Sequence, residues 1–131
     1  MSDARFDTLW PSLPVPALMI NEADQIVEIN SSAELFLNAS AKSLKNVPVF
    51  DKLAIDAPLE EAFSRVRRDS SPMFINNVDV SGGNAAPVQC NIQIAPLQGV
   101  ENWLILLMEP RQIADRLGRS HQVKTSARSA I

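Results

Sequence analysis

The sequence predicts an α+β domain, an antiparallel sheet with helices packed over one face. Three observations carry that prediction. Two short apolar runs, Ala17–Ile20 and Gln25–Ile29, flank the turn-forming segment Asn21-Glu-Ala-Asp24. Leu59, Ala62, Phe63 and Val66 then repeat at helical spacing. From residue 73 onward the period becomes that of strands, and Val88, Cys90, Ile92 and Ile94 alternate with Gln89, Asn91 and Gln93. Strands at both ends with helices between them describe a sheet whose two halves are joined by a helical crossover.

The elements follow in order. Phe6, Leu9, Trp10 and Leu13 form an i, i+3, i+4, i+7 stripe, the mark of an amphipathic helix. Pro11 limits that helix, because its ring clashes with the carbonyl four residues back, so a kink or stop is expected near Trp10. Pro14 and Pro16 extend the chain into the first apolar run. The two runs read as a hairpin. Ser31-Ser-Ala-Glu34 has the layout of a capping box, and Ala33, Phe36 and Leu37 share the face of the helix it opens. Between Ser40 and Ala57 the pattern breaks into two brief helical turns within loop. Asp56 is the expected N-cap of the next helix, with Pro58 in its first turn. Arg65, Arg67 and Arg68 gather at that helix's C-terminal end, where its dipole favours cations.

Met73–Val80 reads as a strand, and Ser81-Gly-Gly-Asn84 as a turn. The alternation of Val88–Ile94 predicts a strand with one buried and one polar face. Pro96 to Asn102 is a loop. Trp103–Met108 is apolar without alternation, which predicts a strand covered on both faces in the middle of the sheet. Glu109-Pro110 is expected to stop it.

At 131 residues the chain is long enough for one domain plus an extension. The charge divides it. Residues 1–110 carry 7 Lys/Arg and 14 Asp/Glu, a net −7, whereas residues 111–131 carry five basic residues against Asp115, a net +4. A sign change of this kind separates a domain from an appendage. The chain therefore parses as an N-terminal flanking helix (1–14), a domain (15–110) and the start of a linker (111–131). The tail has Ile113, Leu117, Ser120, Lys124, Ala127 and Ile131 at coiled-coil spacing. Ser120 and Lys124 are poor seam residues, and Gly118 weakens the helix by about 1 kcal/mol. Partial disorder, or a helix held by a partner, is expected there. A helix left with nothing to pack on is also the mark of a chain that continues beyond Ile131.

Candidate chemistry is sparse. One cysteine, Cys90, excludes an internal disulfide and a cysteine-based zinc site. It alternates in register with Val88 and Ile92 and reads as a buried core thiol. His121 is the sole histidine and, without a partner, makes neither a catalytic pair nor a metal site. Glu60 and Glu61 are adjacent and so diverge by about 100° on a helix, which rules them out as a general acid/base pair. Glycine-rich phosphate loops are missing. No cofactor and no metal are expected, and five tail cations without aromatics do not make a nucleic-acid surface. The sequence has neither an apolar run long enough to span a bilayer nor a signal-peptide layout, so no membrane partner and a cytoplasmic location are expected.

The element order resembles the PAS domain, with Asn30-Ser-Ser-Ala-Glu-Leu-Phe-Leu37 similar to the segment that leaves the second strand and opens the first helix. Trp103-Leu-Ile-Leu-Leu-Met-Glu-Pro110, Arg111-Gln-Ile-Ala-Asp-Arg116 and Gln122–Ile131 resemble more narrowly the end of the PAS domain and the linker of the NtrB family. These are nitrogen-regulation sensor histidine kinases. The resemblance implies a five-stranded antiparallel sheet in the order 2-1-5-4-3, which agrees with a central Trp103–Met108. It implies a homodimer with Phe6, Leu9, Trp10 and Leu13 at the contact, and a signal linker through Ile113 and Leu117. It also implies a parent protein that autophosphorylates a histidine in a His-Glu-x-x-Asn motif and works with an NtrC-type response regulator and a PII signal protein. His121 is followed by Gln-Val-Lys and does not match that motif. Glu109-Pro-Arg-Gln112 departs from the Asp-x-Thr-like signal that begins many PAS linkers. PAS pockets lie between sheet and crossover, where Val27, Phe36, Phe63, Val78, Ile92 and Ile105 are the candidate lining of a small-molecule site. The plainer reading is that they fill a core.

Overall fold

The computed structural model describes residues 10, 12–82 and 86–111. These form β1 (Ala17–Ile20), β2 (Ile26–Ile29), α1 (Ser31–Leu37), α2 (Ala41–Leu44), α3 (Val49–Lys52), β3 (Leu53–Ile55), α4 (Leu59–Asp69), β4 (Met73–Gly82), β5 (Val88–Pro96) and β6 (Leu104–Pro110). All strands pair antiparallel in one sheet, ordered β2-β1-β6-β5-β4-β3.

The α+β class and the central place of the last strand agree with the sequence, but the strand count does not. Leu53–Ile55, expected as loop, forms a sixth strand at the edge, where Leu53 faces Gly82 and Ile55 faces Val80. Three residues are too few to display a period, so only β4 could reveal this strand. The two helical turns expected in the same stretch are α2 and α3.

Register sorts the side chains into two faces. On the helix-covered face Ile29, Leu18, Leu106, Ile94 and Met73 lie in one row across five strands. Leu18, Ile20, Ile92, Ile94, Leu104, Leu106 and Met108 are at most 1% exposed. Leu59, Ala62, Phe63 and Val66 of α4 are buried in the same cluster, the stripe that their spacing predicts. On the other face the row Ala17, Leu107, Gln93, Phe74 runs across four strands. There Leu107 is half-buried and Phe74 is 63% exposed. The strand β6 is therefore fully covered on one face and partly on the other, which accounts for its lack of alternation. It also runs one pair further than expected, since Pro110, which has no N–H to give, ends it opposite Cys90.

Two caps differ from expectation. Asn30, not Ser31, caps α1, and its side chain accepts from the Ala33 amide. Glu34 does not reach back; its carboxylate accepts from the Ala41 amide at 2.8 Å and serves the start of α2. At α4 the cap position is Pro58, without a side-chain bond. Asp56 instead accepts from the Asp79 amide at 2.7 Å and ties the end of β3 to β4.

Candidate functional site

The interior between sheet and helices is the first place to seek a site. Phe63, Val78 and Ile92 are 0%, 6% and 1% exposed and belong to one packed cluster, with Phe36 partly buried against it. Phe50 closes over Phe63 with ring centroids 5.5 Å apart. The structure thus brings four of the six candidate lining residues together. Val27 is half-buried beside the irregularity in the β1–β2 pairing. Ile105 pairs with Met19 and Ala95 on the opposite face of the sheet. Its neighbours in a non-alternating run hide that parity from sequence; only the register of β6 reveals it.

Cys90 is buried on the helix-covered face and near Asp79. Burial, reinforced by that carboxylate, pushes its thiol up to about 11. A thiol held neutral is a poor nucleophile and metal ligand. Among the described residues no group of three or more His, Cys, Asp or Glu could hold a metal ion. His121 lies outside the described residues.

What the structure does build is a pair of polar clamps around the sheet. Asn30 is 1% exposed and makes three bonds. Its Oδ1 accepts from Ala17 N at 3.0 Å and from Ala33 N at 2.9 Å, and its Nδ2 donates to Val15 O at 2.8 Å. A buried amide is stable only when its groups are satisfied in this way. Ser32 Oγ adds a bond to Leu13 O at 3.2 Å. The chain entering β1 is thereby tied to the start of α1.

The second clamp is Arg67, near the end of α4. Its Nη2 meets Asp24 Oδ1 at 2.7 Å and donates to Asn21 O at 2.9 Å, and its Nε donates to Asn102 O at 2.9 Å. The guanidinium also sits 5.8 Å from the centre of the Phe63 ring. One arginine thus joins the β1–β2 turn, α4 and the β5–β6 loop. Trp103 Nε1 donates to Glu22 across the same gap. Sequence reasoning grouped Arg67 with its neighbours as helix-end charge. The signal it lacked is three-dimensional, because its partners lie 35 to 46 residues away.

Of the predicted dimer residues, Trp10 is 7% exposed and Leu13 half-buried, while Phe6 and Leu9 lie outside the described residues. Leu13 N bonds Trp10 O at 3.4 Å, a last turn before the prolines. The linker residues Ile113 and Leu117 also lie outside the described residues. At the exit, Arg111 donates to Asn77 on β4. Among the described residues no helix is long and apolar enough to cross a membrane.

Comparison with known proteins decides the family. The description "PAS fold" matches residues 4–110. The chain belongs to the PAS family. This PAS domain is 54% identical over 123 residues to the sensory histidine kinase/phosphatase NtrB of Rhodobacter capsulatus, covering 94% of the chain and 35% of that protein. To NtrB of Rhizobium leguminosarum bv. phaseoli it is 26% identical over 115 residues, covering 87% of the chain and 30% of that protein. The chain thus spans about a third of the length of these curated relatives. Among solved structures, the PAS domain of nitrogen regulation protein NR(II) from Vibrio parahaemolyticus superposes with a TM-score of 0.69 at 14% identity, over 83% of this chain and 99% of that one. The PAS domain of an HTR-like protein from Haloarcula marismortui gives 0.65 at 11% identity, over 82% and 89%. At these identities the two structures speak for the fold.

Proposed function

We propose that this PAS domain is the sensory and regulatory module of a two-component histidine kinase that controls nitrogen-responsive transcription. It dimerises and passes conformational bias to a kinase core, and it catalyses no reaction itself. The single observation that carries this reading is the 54% identity to NtrB over 94% of the chain. The packed interior supports it as well, since Phe63 and Ile92 occupy the space where a ligand would sit. In the whole protein, which works in the cytoplasm, a histidine is autophosphorylated and the phosphoryl group passes to an NtrC-type response regulator. A PII signal protein switches the balance of kinase and phosphatase. The stripe Phe6, Leu9, Trp10 and Leu13 takes part in the dimer contact, and Ile113 and Leu117 begin the linker.

Light scattering across a concentration series tests the association. A dimer at high concentration that Leu9→Asp weakens is expected. A strict monomer under the same conditions overturns the dimer reading. Native mass spectrometry of freshly purified protein separates the packed interior from a ligand sensor, because a retained small molecule contradicts the first.

A further inference from the structure

A wide, mostly apolar recess lies beside the edge strand. Its floor is Phe50, Leu53, Ile55, Ala57, Pro58 and Leu59, its rim Glu60 and Glu61, and its volume about 620 Å³. Across Pro58 and Glu61 it continues into a second recess of about 260 Å³ that reaches Met73 and Ile75. Ile55, Ala57, Met73 and Ile75 pack inward on the core yet remain only half-buried. We propose that this cleft receives the basic segment that follows Pro110, residues 111–131 of the same molecule.

Charge is the first support. Residues 53–64 hold Asp56, Glu60 and Glu61 and no Lys or Arg. Glu60 and Glu61 are exposed and have no ion-pair partner among the described residues. Arg65 lines the far recess and is its one cation. The segment 111–131 carries the opposite sign, a net +4, interleaved with Ile113, Leu117, Ala127 and Ile131. An apolar floor with an acidic rim fits an apolar stripe with basic flanks.

Reach is the second support. Pro110 lies opposite Cys90, Cys90 opposite Val78, and Asp56 N bonds Asp79 O beside Val78. Adjacent strands lie about 4.8 Å apart, so the chain leaves the sheet roughly 14 Å from Asp56, the residue before Ala57. Twenty residues of helix extend about 30 Å, enough to cross that gap and lie along the cleft. The proposal rests on the reading of 111–131 as the signal linker and gives it a resting place on the sensor.

Paramagnetic broadening tests it. A nitroxide is attached to Ser126→Cys in the 131-residue, nitrogen-15-labelled chain; Cys90, buried and neutral, is left unlabelled. Loss of most of the amide intensity over residues 53–62 is expected, independent of dilution. It should be restored by Glu60→Lys with Glu61→Lys, both surface sites, and by high salt. Broadening instead around Phe74, Gln93 and Leu107, broadening that fades on dilution, or none in a folded spectrum overturns the proposal. The light-scattering mass of the same samples reads dimerisation separately, so a free tail on an intact dimer sinks this inference and leaves the dimer reading standing.

Discussion

The two faces of the sheet are built from the same strands and do different work. Toward the helices, buried side chains from all six strands join one core cluster with those of α4. Toward the other side, Met19, Ile105 and Leu107 are half-covered, and Phe74 stands 63% exposed among Asn91, Gln93 and Glu109. The strand β6 supplies both, Leu104, Leu106 and Met108 to one face and Ile105 and Leu107 to the other. The closed face fixes the fold. The open face and the cleft at the sheet edge leave apolar side chains partly exposed among the described residues.

The contrast breaks most visibly at two phenylalanines. Phe63→Ala removes a fully buried ring from the closed face and is expected to cost about 3–5 kcal/mol. Phe74→Ala on the open face should cost within about 0.5 kcal/mol. Urea unfolding of the two variants measures the difference; equal losses refute a division between a load-carrying and an available face. Asn30→Ala comes next, at about 2–3 kcal/mol, because it strands the buried Ala17 and Ala33 amides and the Val15 carbonyl. Asn30→Asp keeps the acceptor and loses the donor, so it should retain part of that stability.

Much of the closed face was legible in the sequence. Spacing alone placed Leu59, Ala62, Phe63 and Val66 on one stripe and Val88–Ile94 in alternation, because burial on one side imposes a period. The parts that were not legible obey no period. Leu53–Ile55 is too short, and its identity as a strand depends on β4 lying beside it. Asp56 has the composition of an N-cap but finds a better partner in the Asp79 amide. Ile105 looked like a pocket residue because its run is apolar throughout, so face parity is invisible until partners are assigned. The Asn30 and Arg67 clamps join residues far apart in sequence, and no local pattern announces them.

Arg67 tests whether the rim of the closed face is held separately from its centre. Arg67→Met keeps an apolar stem over Phe63 and removes three polar links. A loss of about 1–2 kcal/mol is expected, smaller at high salt because Arg67 and Asp24 are partly exposed. Hydrogen exchange should quicken in residues 21–25 and 97–103 and stay unchanged in β4. Uniform quickening across the sheet would mean that the clamp and the core are one cooperative unit.

The last expected effect lies on the closed face at Cys90 and shows only at alkaline pH, being absent near neutrality. Burial and Asp79 raise the thiol from 9.0 to about 11 in the folded protein. A raised thiol pKa means that the folded chain keeps a proton which the unfolded chain has released. Below pH 9 both states hold it and stability is level; from there toward pH 11 the unfolded state loses it first, and stability falls. Cys90→Ala leaves a small cavity, so it starts lower but lacks this slope. The gap between the two proteins should therefore narrow above pH 9, as followed by urea midpoints at stepped pH. Alkylation of the native thiol at pH 8 should be slow against the same protein in urea. Rapid native alkylation would show that water reaches the face described as closed, and the distinction between the two sides of the sheet would lose its physical basis.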